Sequence, residues 1–125
     1  MAIIGAGALG CPVSLYLATA GIGYIKIIDD DVIELSNLHR QILHTENNVG
    51  QPKVLSAKNQ ILARNSAIEV VACQERVHSE NVMELVSDVD IIVDCTDNIT
   101  VRYLLNDVAV LLKKVSELID CKNSN

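Results

Sequence analysis

The chain has 125 residues, of which 50% are hydrophobic and 21% charged, the composition of one soluble globular domain rather than a disordered or fibrous segment. A formal net charge of −6 gives no general electrostatic hold on nucleic acid, so any bound anion has to be gripped locally. No apolar run reaches the roughly 18 residues of a membrane span, and no basic flank accompanies the apolar start at Met1, so a cytoplasmic chain without membrane association is expected.

With no Phe, no Trp and three Tyr, the core has to be built from Ile, Val, Leu and Ala, which suits β-branched strands under Leu- and Ala-rich helices. Residues 2–5 are a short apolar run, followed by the turn Gly5-Ala6-Gly7-Ala8-Leu9-Gly10 and then by residues 12–20, where small and apolar side chains recur at helical spacing. Gly21 and Gly23 end that helix as left-handed caps do, and residues 24–28 read as a second buried strand whose carboxyl end carries Asp29, Asp30 and Asp31. Pro52 opens a second helix, with Val54, Ala57, Ile61 and Leu62 on one apolar face, that runs to Arg64. Residues 68–72 read as a third strand. Ser79 caps a short helix ending at Val86, residues 90–94 form a fourth strand that is apolar between its two aspartates, and residues 100–112 form a last helix.

This alternation predicts an α/β fold, a Rossmann-like parallel sheet with right-handed crossovers and helices on both faces. The chain starts almost inside its first strand and stops soon after its fourth, as part of a larger sheet would. Cys11, Cys73, Cys95 and Cys121 form neither a C-x-x-C pair nor a disulfide framework and read as reduced, buried thiols.

Gly5, Gly7 and Gly10 match G-x-G-x-x-G after a strand and before a helix. The first glycine permits the tight turn, the second lets backbone approach a phosphate, and the third lets helix and strand pack closely, with helix N–H groups left for an anion. Asp29, nineteen residues past Gly10 at the end of the second strand, is placed to accept from ribose hydroxyls. Beyond it, Asn37, Arg40 and Lys53 offer the polar and cationic partners that a triphosphate needs and a nicotinamide does not. Taken singly, each has a plainer reading: Arg40 and Lys53 as solvated charges, Asn37 as a turn residue, Asp97 as a helix cap. His39, His44 and His78 lack metal-ligand spacing and read as surface or packing residues; Asp30 and Asp31 read as supporting or solvated acids.

The run from Asp29 through Ser36-Asn37-Leu38-His39-Arg40-Gln41, the Gly50-Gln51-Pro52-Lys53 that follows, and Asp94-Cys95-Thr96-Asp97-Asn98 resemble the ThiF/MoeB-type adenylyltransferases, relatives of the ubiquitin-activating enzymes. Within them the likeness is strongest to the eukaryotic branch serving molybdenum cofactor synthesis and transfer-RNA thiolation. The resemblance covers residues 1–112 and implies the amino-terminal half of the family's adenylating domain. It implies ATP and Mg²⁺ as cofactors, a ubiquitin-like sulfur-carrier protein as partner, a homodimer in the full-length proteins, and no direct contact with nucleic acid or membrane. By the same resemblance, the nucleotide is held by Gly5, Gly7, Ala8, Gly10, Asp29, Ser36, Asn37, Leu38, His39, Arg40, Lys53, Asp97 and Asn98. Arg40, Lys53 and Asp97 are its catalytic residues, with Asp97 the Mg²⁺ ligand.

The chain departs from that family at Ala8, where a second consecutive glycine is usual, and in lacking the preceding segment that carries an arginine into a partner's site. It also lacks the zinc-binding C-x-x-C pairs, so the structural Zn²⁺ site is expected to be absent. Residues 113–125 are expected to be a divergent tail. These readings lead to an adenylyltransferase fragment with weak or no activity alone; the alternatives are a non-catalytic nucleotide-binding or dimerisation module and, less favoured, a nicotinamide-dependent oxidoreductase.

Overall fold

A computed structural model describes residues 1–5, 10–34 and 49–118, the side chains of residues 10–12 aside. Strands and helices alternate as β1 (Ala2–Ile4), α1 (Gly10–Thr19), β2 (Tyr24–Ile28), α2 (Lys53–Arg64), β3 (Glu69–Cys73), α3 (Val82–Val86), β4 (Ile91–Asp94), α4 (Ile99–Leu111) and β5 (Val115–Leu118). All the strands pair in parallel, in the order β3-β2-β1-β4-β5. The expected Rossmann-like α/β architecture with helices on both faces is the one observed. No helix among the described residues is long and apolar enough to cross a membrane.

Two apolar layers follow from the period of two along each strand. Ile3, Ile25, Ile27 and Val93 point to one face and pack with Ala18 of α1 and with Val54, Ala57 and Ile61 of α2. Ala2, Ile4, Ile28 and Ile92 point to the other and pack with Val82 and Val86 of α3 and with Leu105 and Val108 of α4. Right-handed crossovers account for the division: the steps β1 to β2 to β3 run one way across the sheet and put α1 and α2 on one face, while β3 to β4 to β5 runs back and puts α3 and α4 on the other. The residues without solvent exposure are mainly Ile, Val and Leu, as the missing aromatics require.

Two buried charged strand residues interrupt this pattern, Asp94 at the end of β4 and Lys26. Lys26 in β2 is buried, and its Nζ donates to Asp88 at 3.2 Å. The Tyr24 hydroxyl donates to the other Asp88 oxygen at 2.8 Å. Burial of the phenol, reinforced by Asp88, pushes its pKa up to about 12. This cluster sits at the amino-terminal half of β2, away from the carboxyl ends where the predicted site residues gather.

Several sequence expectations need correction. Ser79 does not cap α3: the residue preceding the helix is Asn81, and its side chain accepts from His78 N and donates to Arg76 O, each at 2.9 Å, so local backbone claims the polar group. Of the two glycines after α1, only Gly21 has positive φ, at 90°. The sheet also continues beyond the expected fourth strand, because β5 pairs with β4 from Ile91↔Val115 to Asp94↔Leu118. Residue 112 is therefore not the edge of the sheet. β5 was hidden in the sequence because it is short, mostly exposed, and neither continuously apolar nor alternating, with Ser116 and Glu117 between Val115 and Leu118. The remaining boundaries differ by a residue or two at their ends, within the usual fraying.

Ile27, fully buried in β2, tests the layered core. Ile27→Ala is expected to lose about 2–5 kcal/mol of unfolding free energy in a urea titration. Val110→Ala on the exposed side of α4 is expected to change it by less than about 0.5 kcal/mol.

Candidate functional site

Register sets the site's location. Ile4 pairs with Ile28 on one side and with Asp94 on the other, so Gly5, Asp29 and Cys95 leave three neighbouring strands at one level. Adjacent strands lie about 4.8 Å apart, which puts Asp29 and Cys95 on either side of Gly5 across a strip about 10 Å wide. Because the chain steps from β1 to β2 on one side and returns to β4 on the other, β1 and β4 form the topological switch point. In open α/β sheets the crevice beyond the strand ends at that point is where ligands bind.

Gly5 is held there by two constraints. Its φ is 102°, and a Cβ would lie 3.2 Å from the Cys95 carbonyl oxygen. Its N–H donates to Ile28 O at 2.8 Å while Cys95 N–H donates to Ile4 O at 2.9 Å, so both ladders extend past the strand ends. Gly10 opens α1 as expected. Gly7 and Ala8 lie outside the described residues.

At the end of β2, half-buried Asp29 donates through its N–H to Cys73 O at 3.1 Å, and its Oδ1 accepts from Asp31 N at 2.9 Å. Asp30 accepts from Arg76 Nε at 3.1 Å, and Asp31 lies 3.6 Å from Lys53 Nζ. Carboxylate oxygens from all three acids fall within 4.8 Å of one another. Asp30 and Asp31 are thus neutralised in part by neighbouring cations rather than simply solvated.

Lys53 is 7% exposed and is the first residue of α2. A cation at this end of a helix opposes the helix dipole, and here no side chain caps the helix and no acid occupies its first turn. The anion that answers this concentration of positive charge is Asp31, whose backbone oxygen also accepts from Lys53 N at 3.0 Å. Lys53 lines a cavity of about 420 Å³ with Asp30, Asp31, Val32 and Glu34. Residues 32–33 meet residues 50–52 at this cavity's rim: Ile33 N donates to Gln51 O and Gly50 N donates to Ile33 O, each at 2.9 Å, beside an antiparallel bridge between Val32 and Pro52. Ser36, Asn37, Leu38, His39 and Arg40 belong to the intervening segment and lie outside the described residues.

The turn between β4 and α4 is fixed from several directions. Asp94, 3% exposed, accepts through Oδ1 from Thr96 N at 3.0 Å. Thr96 Oγ1 accepts from Asn98 N at 2.9 Å, and Asn98 Oδ1 accepts from Val101 N at 3.1 Å, making Asn98 the N-cap of α4. Arg102 folds back from α4 and donates to Thr96 O through Nε at 3.0 Å and Nη2 at 2.7 Å. Asp97 projects from this turn as an exposed carboxylate without an ion pair among the described residues. Burial pushes the Asp94 carboxyl above the ordinary carboxylate range, against the Thr96 N–H and the Arg102 charge.

Two groups of predicted residues are therefore assembled: Gly5 with the turn carrying Asp97 and Asn98, and Asp29 with Lys53. Both lie along the carboxyl edge of one sheet. The sequence reading missed Asp94 and Arg102. The visible signal for Arg102 was a basic residue in the first turn of a helix whose dipole disfavours it. Cys73 and Cys95 form no disulfide among the described residues and are half-buried rather than buried as expected, and burial pushes the Cys73 thiol up.

The family model described as ThiF family matches residues 1–117. The adenylyltransferase and sulfurtransferase MOCS3 of Culex quinquefasciatus is 54% identical over 112 residues, covering 90% of this chain and 26% of its own length. The sulfur carrier protein adenylyltransferase of Thermus thermophilus is 46% identical over 112 residues, covering 90% of this chain and 41% of its own. Among solved structures, the E. coli tRNA N6-threonylcarbamoyladenosine dehydratase TcdA in complex with ATP superposes with a TM-score of 0.89 at 26% identity, over 94% of this chain and 49% of that one. The chain spans between about a quarter and a half of these proteins.

Two variants test the geometry. Gly5→Ala meets both the positive φ and the Cys95 carbonyl and is expected to destabilise by about 2–3 kcal/mol. Gly21→Ala, whose Cβ meets nothing within 4 Å, is expected to cost about 1 kcal/mol, both read by thermal and urea unfolding. Asp94→Asn addresses the buried charge. With a folded pKa above the unfolded value of about 3.9, the contribution of Asp94 is fully present below that pH and is lost as pH rises through the folded pKa. The Asn variant keeps the acceptor for Thr96 N, so its stability relative to the native chain should improve between pH 4 and pH 7; a decline in that relative stability over this range would contradict the assignment.

Proposed function

The chain belongs to the ThiF family, and from that premise we propose that it is the ATP-binding part of an adenylyltransferase that activates the carboxyl-terminal glycine of a ubiquitin-like sulfur-carrier protein. The observation that carries this reading is Lys53, a buried cation at a helix N-terminus that no side chain caps, lining a polar cavity and held at 3.6 Å by the exposed, exchangeable Asp31. That combination suits phosphate. The sulfur-carrier adenylyltransferase named among the relatives and the ATP complex of TcdA support the choice of partner and nucleotide. The acceptor is of the kind used for molybdopterin synthesis or transfer-RNA thiolation.

In this reading the turn of Gly5, Gly7, Ala8 and Gly10 admits the nucleotide, Asp29 accepts from the ribose, Asn37 and Arg40 contact the phosphates, and Ser36, Leu38 and His39 belong to the same nucleotide-binding set. The carrier's terminal carboxylate attacks the α-phosphorus, the bond to the β-phosphate bridging oxygen breaks, and pyrophosphate leaves with that electron pair, giving an acyl adenylate. Arg40 and Lys53 neutralise the charge that accumulates on the non-bridging and leaving oxygens. Asp97 fits a Mg²⁺ site as an exposed, unpaired hard-oxygen donor at the crevice, since that ion takes one or two carboxylates and completes its shell from phosphate and water. When bound, Mg²⁺ supplies further charge neutralisation on the phosphates.

The chain spans 26% of the length of the MOCS3 relative, so the turnover and the acceptor of the whole protein are part of the proposal. The alternative to this reading is a non-catalytic nucleotide-binding or dimerisation module. The protein is proposed to work as a cytoplasmic homodimer without direct nucleic-acid contact.

Calorimetric titration with Mg·ATP and with NAD, followed by pyrophosphate exchange in the presence of a sulfur-carrier protein, tests the proposal. Mg·ATP is expected to bind in preference to NAD, with Lys53→Ala weakening it at least about tenfold, the scale of one charge-assisted hydrogen bond. Exchange activity separates the enzyme from the module, and NAD binding without ATP binding would overturn the assignment.

A further inference from the structure

The β4–α4 turn contains an arrangement that the family resemblance did not assign. Arg102 stands in the first turn of α4, where a cation opposes the dipole and where no acidic side chain occurs. Its guanidinium donates to the Thr96 backbone oxygen through two N–H groups, at 3.0 and 2.7 Å. Thr96 is in turn the centre of the turn: its N–H is held by buried Asp94 and its hydroxyl oxygen by Asn98 N. Asp97 lies between these fixed points and is itself exposed.

We propose that Arg102 is a positioning residue for Asp97, acting by clamping the Thr96 carbonyl so that the β4–α4 turn presents the Asp97 carboxylate to a nucleotide-bound divalent cation. This rests on the ATP-site reading above. The fork geometry matters, because two N–H groups on one oxygen fix the peptide plane of Thr96–Asp97, while an ammonium at the same place supplies charge without fixing orientation. The Asn98 cap holds the other side of the turn from within α4, so Asp97 is bracketed on both sides.

The test compares the full chain with Arg102→Met, Arg102→Lys and, as a control for lost charge, Arg64→Met, whose guanidinium serves only α2 through Gln60. ATP affinity is measured with and without Mg²⁺, and amide hydrogen exchange is followed at Thr96, Asn98 and Val101. Arg102→Met is expected to weaken ATP binding at least tenfold with Mg²⁺ and less than twofold without it, and to speed exchange at those three amides. Arg102→Lys should fall between, and Arg64→Met should match the native chain. An equal loss of affinity with and without Mg²⁺, or unchanged exchange at the three amides, would overturn the proposal. If Arg102→Met does not fold, Arg102→Lys decides by the same two readouts. A native chain that binds no ATP in either condition defeats the nucleotide reading instead, and the clamp is then judged by exchange alone.

Discussion

Parallel pairing of β1 with both β2 and β4 is the constraint from which the other features follow. It places three strand ends at one level and makes the backbone just past β1 run against the backbone just past β4. Only a residue without Cβ and at ease with positive φ meets both demands, and Gly5 is that residue. The first glycine of the turn is thus explained by the sheet before any ligand is invoked. Its use for a nucleotide requires more: an acid on one side, at Asp29, and an ordered turn on the other, at residues 94–98. Register supplies both.

The same topology explains what is left open. Because right-handed crossovers commit α1 and α2 to one half of one face and α3 and α4 to the opposite face, nothing in these units covers β4 and β5 on the α1 side. A groove of about 560 Å³ remains there, with Met1, Val13, Leu17 and Val93 among its lining residues and Tyr16 71% exposed at its edge. α1 carries no charged residue on any side, and such a helix is ordinarily buried all round. A further crossover of the same hand beyond β5 would add its helix on the α4 face, so handedness alone does not fill this groove.

Much of the architecture was legible because its signals are local and redundant. The continuously apolar stretches around Ile3, Ile27 and Ile92 mark buried parallel strands, and the spacing of Val54, Ala57, Ile61 and Leu62 marks the buried face of α2. What stayed hidden depends on tertiary partners. β5 becomes a strand by pairing with β4, since its own sequence has neither length nor an apolar run. Asn81 rather than Ser79 precedes α3 because Arg76 and His78 offer it backbone groups. In the site, Asp29, Lys53 and Asp97 could be marked by motif, but the pairing of Lys53 with Asp31 and the burial of Asp94 come from chain segments that meet only in the fold.

Helices α2 and α4 share an electrostatic peculiarity that separates two kinds of role. Each begins at the carboxyl edge of the sheet with a cation in its first turn and no acid there to offset it. Lys53 is answered by Asp31, an exposed side chain at 3.6 Å, a distance at which attraction is mainly coulombic and another anion can take its place. Arg102 is answered by a main-chain carbonyl through two short hydrogen bonds, and that acceptor cannot move away without dismantling the turn. The first arrangement suits a group that exchanges partners when a phosphate arrives. The second suits a group that holds its neighbours still. The difference between an exchangeable and a fixed acceptor, rather than the shared positive charge, is what distinguishes a ligand-binding cation from a positioning one on this edge.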